Sequence, residues 1–332
     1  MIVITGGAGF IGSALVWRLN QMGFTNLVLV DNLGTNLQWK NISKSNYYLN
    51  IHKDEFRDWL QTHGDEEGIE AIFHMGACSS TAEHDMNYLL KNNVHYSIDL
   101  FKYCESRQIP FIYASSAATY GMGEQGYSDD PEDVAHLRPI NPYGLSKQMF
   151  DLWVLKQKKF PPFWAGLKFF NVYGPNEYHK EGMRSLVCKA VPQIQEHGSL
   201  KLFKSAKEGV ADGEQQRDFI YVKDAVDVMV HFWTSFQKTA ELKPKPGIYN
   251  VGTGQARSFA DLGRAVFRAL GQKESIDWID MPASIRHGYQ YFTEASLTKL
   301  RTVGLYKKPF TSIEDGVYDY VTQYLTGDDP YL

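Results

Sequence analysis

The 332-residue sequence has few cysteines, no excess of basic residues and no long hydrophobic segment. Its three cysteines, Cys78, Cys104 and Cys188, form no Cys-x-x-Cys pair, so the spacing predicts reduced thiols rather than a disulfide framework or a zinc site. The formal net charge of −4 argues against nucleic-acid binding. No apolar run approaches the roughly 18–20 residues that a membrane helix needs. The N-terminus lacks the features of a signal peptide. These absences predict a cytoplasmic protein without a metal, membrane or nucleic-acid partner.

Strands and helices alternate along residues 1–172, and this pattern predicts an α/β fold with a Rossmann-type doubly wound parallel sheet. The pattern loosens afterwards, so we assign residues 1–172 to an NAD(P)-binding domain and 173–332 mainly to a smaller α/β substrate-binding domain. Residues 217–255 are expected to return in part to the first domain. Residues 237–247 read as a proline-rich connector.

The first turn has the pattern of a dinucleotide-binding site. The apolar run MIVITG predicts a buried strand, and Gly6, Gly9 and Gly12 follow it at three-residue spacing before an apolar helical stripe. Glycines let the backbone approach a pyrophosphate, which then meets the free N–H groups of the helix N-terminus. A second predicted strand ends in Asp31, where a carboxylate can accept a hydrogen bond from a ribose 2′-hydroxyl.

The choice between NAD and NADP is less direct. Asp31 favours NAD, because a carboxylate at this position repels a 2′-phosphate. Three lysines, Lys40, Lys44 and Lys53, follow it, and one of them could neutralise such a phosphate. The residues alone favour NAD.

The segment RPINPYGLSKQMF predicts a helix that begins at Pro142, because proline suits the first helical turn. Tyr143 and Lys147 then lie one turn apart on the same face. A neighbouring ammonium group is expected to lower the pKa of the phenol and make it a usable acid or base. Tyr-x-x-x-Lys also arises often by chance as a surface pair. Ser116 and Asn171 end two further predicted strands, so we expect them at the same crevice.

The motifs TGGAGFIG, ASSAATYG, YGLSK, FFNVYGP and RDFIYVKD resemble the extended short-chain dehydrogenase/reductase family, in order and across nearly the whole chain. Within this family, FHMGACSSTAEHD and FNVYGPNEYHKEGM are similar to nucleotide-sugar epimerases that invert C6 of ADP-heptose during lipopolysaccharide core biosynthesis. The stretch YHKEGM discriminates best, because Lys180 is not expected in sugar 4-epimerases.

The resemblance implies that Tyr143 and Lys180 are the acid/base residues, supported by the catalytic-site residues Ser116 and Lys147. The cofactor-binding residues that it implies are Gly6, Gly9, Phe10, Ile11, Gly12, Asp31, Asn32, Lys53, Met75, Gly76, Ala77, Cys78, Ser79, Asn92, Tyr143, Lys147, Val172 and Lys180. The substrate-binding residues that it implies are Ser116, Asn171, Gly182, Lys189, Phe203, Lys204, Ser205, Arg217 and Tyr289.

The family uses NADP, so the resemblance moves the expected cofactor from NAD to NADP, with NAD as the alternative. Two residues depart from the family pattern: Gln38 replaces a lysine and Met75 a glutamate. Loop 204–216 is also longer than the family pattern. The resemblance also implies a homo-oligomer, with a pentamer suggested, and apolar helix faces such as residues 89–104 are candidates for the contact.

Inverting a carbon that carries only a hydroxyl requires a hydride to leave and to return to the opposite face. The oxidation needs a base and the reduction an acid on the other side, which one tyrosine cannot reach, so Lys180 is the second group. Without the resemblance, Lys180 would read as a surface lysine. His74 and His179 are expected to be buried and satisfied, and Ser115 to be a turn residue.

Three alternatives remain open. One is another nucleotide-sugar epimerase, such as a UDP-sugar 4-epimerase. The second is a 4,6-dehydratase, which commonly has Asp-Glu beside the serine, where this sequence has Ala117 and Ala118. The third is a non-catalytic protein that senses NAD(P), which would not need Ser116, Tyr143 and Lys147 together.

Overall fold

A seven-stranded parallel sheet forms the centre of the fold in the computed structural model, which describes residues 1–237, 239, 243–286 and 288–332. The strands of the chain are β1 Ile2–Thr5, β2 Leu27–Asp31, β3 Leu49–His52, β4 Ala71–His74, β5 Phe111–Ser116, β6 Trp164–Phe169, β7 Asn171–Tyr173, β8 Leu200–Phe203, β9 Gln216–Tyr221, β10 Gly247–Val251, β11 Ala256–Ser258 and β12 Ile276–Ile279.

The α-helices lie between these strands and over them. They are α1 Phe10–Gln21, α2 Phe56–Thr62, α3 Met86–Leu89, α4 Tyr96–Arg107, α5 Pro131–Val134, α6 Pro142–Leu155, α7 Leu186–His197, α8 Val222–Ser235, α9 Phe259–Ala269, α10 Ala283–Arg286, α11 Thr298–Thr302 and α12 Ile313–Asp319. Shorter 3₁₀ segments are Leu37–Ile42, Ala117–Tyr120 and Tyr178–Met183, and π-helical segments are Leu90–His95 and Tyr320–Leu325.

The strand order of the main sheet is β10-β6-β5-β4-β1-β2-β3, and every neighbouring pair is parallel. Strands β1, β4, β6 and β10 are buried along their whole length, as expected for a parallel sheet covered on both faces. The order reverses between β1 and β4, and such a reversal opens a crevice at the carboxyl ends of the strands. The predicted Rossmann-type fold is confirmed.

The segment after residue 216 returns to this sheet. Strand β9 leads directly into α8, as the sequence predicted, and α8 packs on α1, where Arg18 pairs with Asp227 at 2.7 Å. Strand β10 then adds to the sheet beside β6. The division into domains at residue 172 stays a prediction.

Smaller sheets and helices cover the carboxyl end of the main sheet. Strands β11, β9 and β7 form one small sheet, and β12 pairs with β8. The predicted helix over 258–270 is α9, begun by a capping box between Ser258 and Asp261. The helix expected over 312–325 is α12, continued by a π-helical turn.

Part of the predicted connector over 237–247, residues 238 and 240–242, lies outside the described residues. Within the described part of the chain, no helix has both the length and the apolar character needed to cross a bilayer.

Candidate active site

The turn between β1 and α1 has no room for side chains. Gly6 has φ +65°, and a Cβ there would lie 2.7 Å from the Gly76 nitrogen. A Cβ on Gly12 would lie 2.0 Å from the Gly6 carbonyl oxygen. Gly9 precedes α1 and supplies no side-chain cap, so the first N–H groups of the helix are open to a ligand. The turn therefore fits a pyrophosphate group, which needs close backbone approach.

Asp31 lies at the end of β2, where its carboxylate accepts hydrogen bonds from the backbone N–H groups of Ala8 at 2.9 Å and Asn32 at 2.8 Å. Burial raises the pKa of Asp31, while these bonds and one from the Gln38 side chain oppose the rise. Gln38, which replaces the family lysine, thus contacts Asp31 directly.

A small pocket of about 160 Å³ surrounds Asp31. Its walls are Thr5, Gly6, Val30, Asp31, Asn32, Lys53, Gly76, Ala77, Cys78, Tyr88, Asn92 and Tyr96. The Lys53 ammonium donates to Asn92 Oδ1 at 3.2 Å and pairs with Asp54 at 2.9 Å. The other two lysines considered for a phosphate lie elsewhere: Lys44 pairs with Asp329, and Lys40 lies near the Trp39 ring.

A cavity of about 770 Å³ shares Ala77 with this pocket. All four residues expected to be catalytic, Ser116, Tyr143, Lys147 and Lys180, line it. Predicted binding residues in its walls are Phe10, Ile11, Met75, Ala77, Ser79, Asn171, Val172, Lys189, Phe203 and Tyr289. Segments that are far apart in the sequence therefore meet at one crevice, at the sheet edge where ligands of doubly wound folds bind.

Tyr143 and Lys147 project from α6, whose first turn contains Pro142 and is capped by Asn141, with Oδ1 accepting from the Gly144 N–H at 2.7 Å. Burial raises the pKa of Tyr143, and a hydrogen bond with Ser116 opposes that rise. The prediction that Lys147 lowers the pKa of Tyr143 is therefore wrong for this structure.

The ammonium group of Lys147 donates instead to the Ala114 carbonyl oxygen at 2.8 Å. Burial lowers the pKa of Lys147 to about 8. Lys147 is thus held against β5 by a hydrogen bond and shielded from water, rather than paired with the phenol.

Behind Tyr143 and Lys147 lies a buried ion pair. Asp151, one turn beyond Lys147, pairs with Lys168 at 2.7 Å, and both side chains are fully buried. The carboxylate also accepts from Ser115 Oγ at 2.7 Å and from the Tyr113 hydroxyl at 3.0 Å. Ser115 is therefore a strand residue that fastens β5 to α6, which corrects its prediction as a turn residue.

The two histidines near the site are satisfied, as predicted. His74 is buried between Thr5 at 2.6 Å and Ser97 at 2.8 Å, and burial lowers its pKa to about 3. His179 contacts the Asn41 amide at 3.1 Å, and burial lowers its pKa to about 4. Both imidazoles are neutral at pH 7. Among the described residues, no cluster of three or more His, Cys, Asp or Glu side chains is arranged to hold a metal ion.

Lys180 reaches the same cavity from a 3₁₀ segment, Tyr178–Met183, after the Gly-Pro turn. Its ammonium group lies 5.3 Å from the centre of the Phe10 ring. Burial lowers the pKa of Lys180; the charge of Glu177 opposes this, and that of Lys189 adds to it. Lys180 is thus a half-buried amine whose proton is easier to remove than that of a surface lysine.

The family model described as "NAD dependent epimerase/dehydratase family" matches residues 2–252. The chain belongs to this family. Two curated relatives named ADP-L-glycero-D-manno-heptose-6-epimerase align over the full length of both chains, from Fusobacterium nucleatum at 51% identity and from Nitratidesulfovibrio vulgaris at 50%. A solved Helicobacter pylori enzyme of that name has a TM-score of 0.75 at 27% identity, covering 96% of this chain and 94% of its own.

Family membership confirms the resemblance seen in the motifs and supports a nicotinamide cofactor. The names of the relatives support an enzyme of the isomerase class. A UDP-N-acetylglucosamine 4-epimerase from Methanobrevibacter ruminantium has a TM-score of 0.77 at 24% identity over 96% of each chain, and it indicates the shared fold alone.

Four predicted substrate residues lie outside the walls of the large cavity: Gly182, Lys204, Ser205 and Arg217. The Gly182 carbonyl accepts from Lys189 at 2.6 Å, Lys204 pairs with Asp280 at 3.1 Å, and the Ser205 N–H donates to Asp212 at 2.7 Å. Arg217 lies behind the wall, over the rings of Tyr289 at 5.3 Å and Phe259 at 5.7 Å.

Sequence reasoning missed several residues at the far end of the cavity. They are Met183, Arg184, Ser185, Gln193, Lys201, Gln215, Phe219, Phe259 and Ile279. The first three lie on the segment before α7, Gln193 lies on α7, Gln215 lies just before β9, and the others lie on β8, β9, β12 and at the start of α9. Met183 and Phe219 belong to the motifs YHKEGM and RDFIYVKD, but neither residue had been assigned a role. The others belong to no motif with fixed spacing, and the pairing of β8 with β12 and the packing of α7 and α9 bring them together.

Proposed function

We propose that the protein inverts C6 of ADP-D-glycero-D-manno-heptose to give ADP-L-glycero-D-manno-heptose, with bound NADP, in lipopolysaccharide core biosynthesis. The observation that carries the proposal is the position of Lys180, which lines the same cavity as Tyr143 from a separate loop. Full-length relatives at 50–51% identity bear the name of this activity. A 4-epimerase on this fold is not expected to have the second amine.

Residues of the glycine turn would hold the pyrophosphate of the cofactor, Asp31 its adenosine ribose, and Lys147 its nicotinamide ribose. When bound there, the nicotinamide supplies a reversible hydride acceptor. We infer NADP rather than NAD because Lys53 lies in the Asp31 pocket with its ammonium group 3.2 Å from Asn92 Oδ1. Asp31 by itself favours NAD, since its carboxylate repels a 2′-phosphate.

Tyr143 and Lys180 exchange a proton with the oxygen on C6. Inversion requires the carbonyl group to turn over, after which its oxygen faces the other wall of the cavity. Tyr143 meets the oxygen in one orientation and Lys180 in the other, while Ser116 donates a hydrogen bond on the tyrosine side. The lowered pKa of Lys180 increases its neutral fraction, which suits a base.

The test is conversion of ADP-D-glycero-D-manno-heptose by the purified protein without added cofactor, followed by ¹H NMR at C6. We expect complete equilibration of the two epimers, and NADP in the supernatant of acid-denatured protein. Interconversion of UDP-glucose and UDP-galactose at a higher kcat/KM would establish a UDP-sugar 4-epimerase instead. Bound cofactor without conversion of either sugar would indicate a sensing protein.

We also propose a cytoplasmic homo-oligomer, with the pentamer that the resemblance suggests. The continuous helix formed by α3, the π-helical segment and α4 is the candidate contact surface. Analytical ultracentrifugation at micromolar concentration tests this, because a single species at the monomer mass of 37.9 kDa would contradict it.

A further inference from the structure

The loop that carries Lys180 is closed at its base by a buried carboxylate. Glu177 has only 1% of its surface exposed. Its Oε1 accepts from Ser185 Oγ at 2.6 Å and from the Gly174 N–H at 3.4 Å, and its Oε2 accepts from the Ser185 N–H. A single side chain therefore joins the turn after β7 to the residue that begins α7.

Lys180 lies between these two fixed points. Its N–H donates to the Glu177 carbonyl oxygen at 3.0 Å, which forms the first turn of the 3₁₀ segment. The next residue, Glu181, has φ 48°, a left-handed conformation that a non-glycine residue adopts only when its surroundings hold it there. The backbone at Lys180 is thus fixed by closure of the loop rather than by a regular helix.

The charge of Glu177 is not neutralised by an ion pair. Within the described ranges, no lysine or arginine nitrogen lies within 4.0 Å of its carboxylate. Lys180, on the same loop, interacts with this charge across the closed turn. Besides burial and Glu177, the charged group that shifts the pKa of Lys180 is Lys189 on α7, and Lys180 in turn adds to the effect of burial in lowering the pKa of the neighbouring His179. The loop also contains Tyr178, Glu181 and Arg184, and α7 contains Cys188.

We propose that Glu177 is a positioning residue for Lys180: its carboxylate closes loop 174–185 and thereby holds the Lys180 amine at the cavity wall opposite Tyr143. This inference rests on the proposed function, in which Lys180 is one of two acid/base groups. Glu177 lines neither the cavity nor the Asp31 pocket, so it acts through the loop and not on substrate.

Two variants test the closure, Glu177→Gln and Glu177→Ala. A glutamine keeps the size of the side chain, but an NH₂ group replaces one of the two oxygens. The bonds from Ser185 N–H to one oxygen and from Ser185 Oγ and Gly174 N–H to the other therefore cannot all be kept. The matched control is Glu181→Gln, which makes the same change of charge on the exposed side of the same loop. Circular dichroism and the content of bound NADP show whether each variant is folded. If Glu177→Ala does not fold, the test uses Glu177→Gln alone.

The first readout does not depend on activity. Trypsin cleaves after Lys180 and Arg184 only if the loop opens, and mass spectrometry of the peptides gives that rate. We expect cleavage at least about tenfold faster in Glu177→Gln than in the wild type, since local opening is what the carboxylate opposes. Glu181→Gln is expected to be cleaved at the wild-type rate. Equal cleavage in Glu177→Gln and Glu181→Gln overturns the proposal.

The second readout is epimerisation of the ADP-heptose. A misplaced reacting group costs about 10²-fold, so we expect kcat to fall by about that factor in Glu177→Gln, with KM little changed. We also expect the acid limb of the kcat profile, in the direction in which Lys180 is the base, to shift to lower pH, because loss of the negative charge favours neutral Lys180. A wild-type kcat and pH profile in Glu177→Gln overturns the inference while leaving the proposed function intact. If the wild type itself does not epimerise the sugar, the proposed function fails, and faster cleavage of Glu177→Gln still shows the loop closure.

Discussion

The two walls of the cavity are built differently. Tyr143 projects from a 14-residue helix, α6, that is fastened to the sheet by the buried pair of Asp151 and Lys168. Lys180 projects from a six-residue 3₁₀ segment, Tyr178–Met183, in which no residue is fully buried. The two side chains proposed as acid/base groups thus lie on different kinds of element: Tyr143 lies on a helix of the core and Lys180 on a closed loop.

Because of this difference, substitutions on the two walls are expected to differ in how strongly they affect the free energy of unfolding. On the Tyr143 wall, Asp151 and Lys168 belong to the core. Substitutions of these two residues are therefore expected to lower the free energy of unfolding. On the Lys180 wall, no residue of the 3₁₀ segment is fully buried, so replacing Lys180 is expected to change the reaction more than the stability, whereas Glu177 at the base of the loop is buried. An acid/base group on such a segment can therefore be replaced with little effect on the fold, whereas the buried groups that hold the helix of Tyr143 in place also stabilise the core.

The largest effect is expected when the proposed acid/base side chains, Tyr143 and Lys180, are replaced one at a time. Tyr143→Phe and Lys180→Met should each lower the rate of epimerisation by about 10²–10⁴-fold, the usual contribution of a positioned acid or base. Both variants should retain NADP, which the absorbance of the denatured supernatant checks. Lys158→Met, which removes an exposed lysine beyond α6, is the control and should react at the wild-type rate. Wild-type turnover in Lys180→Met would show that Tyr143 acts alone.

The second prediction concerns the core behind Tyr143. Lys168→Met leaves Asp151 as an unpaired buried charge, which should lower the free energy of unfolding by about 3–5 kcal/mol. Lys180→Met should change it by less than about 0.5 kcal/mol, because Lys180 forms no ion pair with any residue that the structure describes, unlike Lys168. Urea unfolding followed by circular dichroism measures both. If the two variants were equally stable, the two walls would not differ as described.

The third prediction compares Gly12, in the turn between β1 and α1, with Gly182, on the loop of Lys180. Gly12→Ala places a Cβ 2.0 Å from the Gly6 oxygen and should destabilise the protein by about 1–3 kcal/mol, with loss of cofactor binding. Gly182→Ala, on the Lys180 loop, meets no atom within 4 Å and should stay within about 0.5 kcal/mol of the wild type. Thermal unfolding and the content of bound nucleotide check this pair, and retention of cofactor by Gly12→Ala would contradict the tight turn.

The smallest effect, counted per pH unit, is a dependence of stability on pH. The pKa of Lys147 is about 8 in the folded protein and 10.5 in the reference state. Between these values the unfolded chain binds the extra proton, so stability should rise with pH by up to about 1.4 kcal/mol per unit from this group. Below pH 8 both states are protonated and the penalty is fully present. Lys147→Met should remove this slope when urea unfolding is compared at pH 8, 9 and 10, and parallel curves for the two proteins would refute the burial of a charged Lys147.

The parts of the site that were predictable from sequence are local. Strand β1, the glycine turn, α1 and Asp31 follow one another within one βαβ unit, so periodicity and turn chemistry were sufficient. Tyr143 and Lys147 lie one helical turn apart behind a proline, which is also a local signal. Lys180 has no such signal and was identified only through the resemblance of YHKEGM.

The remaining features depend on contacts between distant segments. Asp151 and Lys168 lie on different elements, and nothing in their spacing predicts that they pair. Ser115 was taken for a turn residue because small polar residues favour turns, yet its bond to Asp151 keeps it in β5. The pKa of Tyr143 was predicted from its neighbour in sequence, whereas burial and the direction of Lys147 toward Ala114 determine it.

The order of strands has a consequence for synthesis on the ribosome. Strand β6 is complete at Phe169, but its outer neighbour in the sheet, β10, ends only at Val251. Translation at about 5–20 residues per second leaves the backbone groups along that side of β6 without a strand partner for several seconds. An unpaired strand that is apolar apart from Lys168 invites association with other chains. Overproduction of the protein is therefore expected to benefit from slower translation or chaperones, which cover β6 until β10 emerges.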